Sequence, residues 1–170
     1  MIKTYVMQVM SGNENNIVIQ ASNVVKLRAE EEIYIPRAER ERKVHGRWIK
    51  EQTVLFPGYV FIDTDDIETI TAQLNNIIGL TKVLKTGESF TAVTEEECAL
   101  IRHLTGKDHI AEPSVAIKEG DSIVVISGPM KNLPGRVIYL NRHKRCAVVE
   151  MDIFSRKIEV TLGLEVVDIK

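Results

Sequence analysis

Apolar and polar positions alternate in two different rhythms along the chain. In the first hundred residues short apolar runs are interleaved with helical spacing. Tyr5–Met10 is an apolar run fit for a buried strand. Ser11-Gly12-Asn13-Glu14 has the spacing of a capping box, in which a hydroxyl and a carboxylate each satisfy an orphan helix N–H. The helix it opens would bury Ile17, Ala21, Val24 and Val25, although the β-branched run Ile17-Val18-Ile19 locally favours strand. Ile33–Lys43 and Trp48–Asp63 read as long strands around a turn at His45-Gly46, with Pro36 placing the first at an edge or a bulge. Asp65-Asp66-Ile67-Glu68 starts a second helix with Ile67, Ile70, Leu74 and Ile77 on one face. Leu80–Leu84 returns as a strand. Thr94-Glu95-Glu96-Glu97 repeats the capping-box spacing before a third helix carrying Leu100, Ile101 and Leu104. The expected fold is α+β, a sheet of antiparallel type covered by helices.

Beyond Ala116 the rhythm changes to period two. Ser122–Ser127, Gly135–Asn141, Arg145–Asp152, Arg156–Leu162 and Leu164–Ile169 are short β-rich runs separated by turn residues. Ala147, Val149 and Met151 would face inward, as would Ile158, Val160 and Leu162, leaving Lys157, Glu159 and Thr161 to water. Five short strands in so few residues suit a small all-β, SH3-like barrel. Between the two rhythms lies Gly106–Ala116, with Gly106 and Pro113 and few apolar anchors, which reads as a linker. The expected organisation is a first domain over 1–106, a linker over 107–116 and a second domain over 117–170.

Composition narrows the function classes. Hydrophobic residues make up 44% of the 170 and charged residues 27%, as in an ordinary soluble globular protein. No apolar run approaches a membrane span and no signal-peptide layout opens the chain, so a cytoplasmic protein without membrane contact is expected. Cys98 and Cys146 lack metal-ligand spacing. The net charge of −2 conceals a slightly basic end: residues 117–170 hold nine Lys and Arg against seven Asp and Glu. That balance argues against a non-specific DNA coat protein, so nucleic-acid contacts would come from local clusters. Catalysis finds no foothold. The four histidines fall at unrelated places, and the chain has no H-E-x-x-H, C-x-x-C, phosphate-loop or G-x-S-x-G pattern; no cofactor is expected.

Two segments carry a resemblance. Leu55-Phe56-Pro57-Gly58-Tyr59-Val60-Phe61-Ile62 resembles the signature strand of NusG N-terminal (NGN) domains. Glu119-Gly120-Asp121, then Val125-Ile126-Ser127-Gly128-Pro129, then Gly135-Arg136-Val137 resemble the KOW motif, and Ile153-Phe154-Ser155-Arg156 the family's aromatic turn. The chain is thus identified as similar to the NusG family of transcription elongation and antitermination factors. Thr4 stands where housekeeping members usually carry Trp, Met130 where Phe is common and Ser155 where Gly is common; with the basic turn Arg142-His143-Lys144-Arg145 they resemble the specialised LoaP-type branch.

The resemblance implies an NGN domain that binds the clamp helices of RNA polymerase through Tyr5, Phe56, Pro57, Gly58, Tyr59, Leu74 and Ile78, and suppresses pausing and termination. An ordinary core turn is the competing reading of the aromatic segment. The LoaP likeness implies recruitment by a nascent leader RNA hairpin. Arg37, Arg40, Arg42, Lys43 and Arg47 of the hairpin suit phosphate contacts, or simply a solvated strand edge defended by charges, with Arg40 and Arg42 on one face and Glu39 and Glu41 on the other. Trp48 suits either base stacking or packing. Lys131, Arg142, His143, Lys144 and Arg145 suit an RNA backbone, or simply a polar turn. Phe154 would be a contact for Rho or a ribosomal protein, or a barrel plug. A housekeeping adaptor and a KOW-bearing ribosome-associated protein are the alternatives; the sequence pI of 6.1 argues against the second.

Overall fold

The computed structural model describes residues 1–77, 80–83, 85–86 and 89–168. The expected α+β region followed by an all-β region is what the chain forms. The chain divides into two compact units, Met1–Ile35 with Pro57–Cys98, and Pro36–Phe56 with Ala99–Lys170.

In the first unit, β1 (Lys3–Val9), β2 (Glu32–Tyr34), β5 (Tyr59–Thr64) and β6 (Leu80–Val83) form an antiparallel sheet in the order β2-β5-β1-β6. Consecutive residues Tyr5, Val6 and Met7 are buried, as are Tyr59 to Ile62, so β1 and β5 are covered on both faces. Helix α1 (Glu14–Val24) presents Ile17 and Ala21 to this core, one turn apart, and α2 (Ile67–Leu74) presents Ile67, Ile70 and Leu74. Asp66 caps α2 by accepting the Thr69 N–H at 3.2 Å. The pair β7 (Lys85–Thr86) and β8 (Ser89–Phe90) completes the unit's strands among the described residues. Helix α3 (Glu95–Thr105) starts from a formed capping box. The Glu97 N–H donates to Thr94 Oγ1 at 3.1 Å, and the Thr94 N–H to Glu97 Oε1 at 3.4 Å.

The first capping box does not form. Asn13 is the N-cap without a side-chain cap, and the helix begins at Glu14, which the sequence spacing puts at its third position. Glu14 is buried and turns back: its carboxylate accepts the Gly12 N–H at 2.5 Å and the Gly58 N–H at 3.4 Å. Val24, expected inside, is exposed, and the apolar stripe ends instead with Val25.

The second unit begins with a β-hairpin, β3 (Arg37–Val44) and β4 (Arg47–Val54), whose tip is His45-Gly46. Both tip residues have positive φ, +50° and +78°, as a two-residue hairpin turn matched to strand twist requires. The two long strands read from sequence are therefore four. Pro36 separates β2 from β3, and the Phe56–Gly58 turn separates β4 from β5. Residues 107–116 carry β9 (Ile110–Ala111), parallel to β3, and the start of β10 (Ser114–Glu119).

β10 joins β11 (Ser122–Ser127), β12 (Arg136–Asn141), β13 (Cys146–Ile153) and β14 (Arg156–Asp168) in a sheet of order β11-β10-β14-β13-β12. The inward and outward alternation of β13 and β14 is as read from sequence, except that Thr161 is half-buried. Arg156–Leu162 and Leu164–Ile169, expected as two strands, belong to the single strand β14 through its described end at Asp168. Gly163 does not break it. A Cβ there would meet the Glu39 carbonyl oxygen at 2.7 Å and Pro113 Cβ at 3.1 Å, so the glycine allows β3 to lie against β14.

Candidate nucleic-acid interface

The residues expected at a polymerase dock are mostly inside. Tyr5, Phe56, Tyr59 and Leu74 are buried, Gly58 is half-buried and Pro57 is exposed; Ile78 lies outside the described residues. The backbone of the turn is firmly held. The Val9 N–H donates to the Gly58 carbonyl at 2.9 Å while Glu14 takes the Gly58 N–H, and Gly58 has φ +87°. In the second unit Phe56 packs edge-to-face on Phe154, their ring centroids 5.9 Å apart. Phe154 is itself buried, so in this arrangement the two aromatics cover each other.

The basic hairpin divides by face. Cross-strand pairs Lys43↔Trp48 and Glu41↔Lys50 share one face with Glu39, while Arg42↔Ile49, Arg40↔Glu51 and Val44↔Arg47 share the other. Arg40 and Arg42 therefore lie together and opposite the two glutamates, as alternation requires. On their face Arg42 pairs with Glu51 at 3.0 Å, and Arg40 Nε is buried without a hydrogen-bond partner among the described residues. Arg40 as a whole is half-buried. Arg37, at the base of β3, is half-buried, whereas Arg47, next to the tip, is exposed.

The face bearing Trp48 meets the basic turn that joins β12 to β13. The Arg145 guanidinium lies 3.9 Å from the Trp48 ring centroid and forms an ion pair with Glu41. Lys43 Nζ stands 5.9 Å from the same ring. Trp48 thus serves first as a platform for two cations of its own chain. Within the turn Asn141 Oδ1 accepts the Lys144 N–H at 2.9 Å, Arg142 pairs with Asp168 at 3.1 Å, and Arg142, His143 and Lys144 are exposed. Arg145 has φ +50°, in the left-handed region that turn residues adopt. Lys131 lies in the loop after β11. Its backbone carbonyl and that of Pro129 lie 3.0 and 3.1 Å from His103 Nε2, which can donate to both. The side chain of Lys131 is exposed.

Sequence reading finds the two basic clusters but not that they adjoin. Glu41 and Trp48 stand about a hundred positions from Arg145, and no local spacing links them. It also misses the buried Glu14, whose spacing from Ser11 suggests a cap.

Comparison with known proteins assigns the family. The profile described as transcription termination factor NusG matches residues 3–102. The Thermus thermophilus transcription termination/antitermination protein NusG is 29% identical over 119 residues, spanning 64% of this chain and 63% of that protein's length. The protein of the same name from Pasteurella multocida is 23% identical over 96% of this chain and 93% of its own. A solved structure titled "Domain interaction in Thermotoga maritima NusG" superposes with a TM-score of 0.58 at 23% identity, covering 96% and 94% of the two chains, which shows a shared fold. With the profile match covering most of the region that holds the first sheet and the basic hairpin, the chain belongs to the NusG family.

Proposed function

We propose that the chain is an elongation and antitermination factor that binds the clamp helices of RNA polymerase and suppresses pausing and termination, recruited by a nascent leader RNA. A factor that favours the elongating arrangement of polymerase over a paused one shifts the population without bond chemistry. The observation that carries the RNA-guided reading is the meeting of the basic hairpin and the basic turn at Trp48 and Arg145. The polymerase reading is supported by family membership and by the pinned Pro57-Gly58 turn at the end of the signature strand. Rho or a ribosomal protein would use Phe154, as in a housekeeping adaptor.

Purified transcription on a template with a leader hairpin and a downstream terminator tests this. Read-through should rise with the factor, and only when the leader is present. Equal read-through without the leader would favour the housekeeping reading. No effect on polymerase with either template would overturn the proposal.

A further inference from the structure

Of the cations brought together at Trp48 and Arg145, two are neutralised within the chain: Arg145 by Glu41 and Arg142 by Asp168. Lys43 and Lys50 on the hairpin face and Lys144 on the turn are exposed, and none makes an ion pair among the described residues. Glu39, one alternation further from the hairpin tip, is the other carboxylate on that face. The local balance therefore remains positive. We infer that these lysines form one composite site for a single-stranded RNA backbone, spanning hairpin and turn, with Trp48 and Arg145 holding its halves in register. The inference deepens the RNA-guided reading proposed above, on which it rests.

A polyanionic strand fits this surface better than an acidic side chain would. Successive phosphates match cations placed along a strand and across to a neighbouring turn, and each contact releases a condensed counterion. Trp48 is a positioning residue in this scheme. Arg145 occupies a face of its ring at 3.9 Å, so that face is closed to a base.

The test is equilibrium titration of the full chain with a single-stranded RNA 12-mer at several salt concentrations, beside a DNA 12-mer of the same sequence. Trp48 is the chain's one tryptophan, so its emission reports on the site without a label. Two variants are compared, Lys43→Gln with Lys50→Gln, and Lys144→Gln alone. All three positions are exposed, so folding should survive and circular dichroism will verify it. The Lys43 and Lys50 pair should weaken RNA binding on the order of tenfold at 0.1 M salt and lower the log–log salt slope by about 1.4, and Lys144→Gln should lower it by about 0.7, at ~0.7 per lost contact. One RNA should bind per chain, with a change in Trp48 emission.

Two RNAs per chain, or unchanged affinity in either variant, would overturn the composite site. Tighter binding of the DNA strand would overturn RNA as its ligand. If neither strand binds while the factor still promotes read-through, this inference fails and the polymerase reading stands. Binding as expected with no effect on polymerase would uphold the composite site and overturn the polymerase reading instead.

Discussion

Glu31 is held by several groups at once. Its Oε1 accepts from the Arg28 side chain and backbone at 3.0 and 2.8 Å, its Oε2 from Thr64, and its side chain is almost fully covered. Arg28 also pairs with Asp65, so the stretch before β2 and the end of β5 meet there. The hydrogen bonds from Arg28, then from Thr64, favour the charged carboxylate and hold its pKa at about 2, below the ordinary 4.5. A depressed carboxylate stabilises the folded state fully above the unfolded value and loses that contribution as pH falls. Between about pH 4.5 and 2 the native protein should therefore lose stability more steeply than Glu31→Gln does. Thermal melts across that window would measure it, and parallel curves for the two proteins would refute it. Near the same sheet, burial and then Asp63 push the Tyr34 hydroxyl well above its usual range, so it stays a donor to Asp63 at 3.2 Å.

At the scale of elements, two stretches with the same capping-box spacing behave differently. Thr94 and Glu97 satisfy one another's N–H groups, whereas the Glu14 carboxylate takes the Gly12 and Gly58 N–H groups instead of pairing with Ser11. Thr94→Ala should cost about 1 kcal/mol, seen as a lower denaturation midpoint with an unchanged slope; Ser11→Ala should cost far less. Equal effects would mean the cap geometry does not govern stability. The contrast shows what is legible in the sequence. Period-two alternation places β13 and β14, and 3.6-residue spacing places the buried face of α2, because both patterns record burial directly. Gly163 reads as a break from sequence because the carbonyl that needs its empty side comes from Glu39, far away in the chain. The start of β10 is hidden in an apparent linker, since its buried residues Ser114 and Ala116 are small and carry little hydrophobic signal. The basic hairpin is legible as a charged pair of strands, and its junction with the turn is not.

For the molecule as a whole, the arrangement around Phe56 decides how a polymerase partner could engage the signature segment. Phe56 is fully buried and lies edge-to-face with Phe154, so a partner that uses either ring must displace the other. Truncating Tyr59 would be a poor test of docking, since it is also buried and its loss would cost core stability. Phe154→Ala is more informative. It removes a ring contact worth about 0.5–1.5 kcal/mol without touching Phe56 itself. Phe154 also holds φ +56° in a turn between β13 and β14, where a smaller side chain is no more strained. If Phe56 is the polymerase anchor, opening its cover should raise affinity for polymerase by up to roughly tenfold while lowering the factor's own melting temperature. Phe56→Ala in the same background should abolish that gain. Affinity would be read by titrating labelled factor with core polymerase, and stability by thermal melts of the factor alone. A Phe154→Ala protein that is less stable yet binds polymerase no more tightly would show that the pair is simply core, and that any dock lies outside it, with Pro57 the exposed residue of the turn.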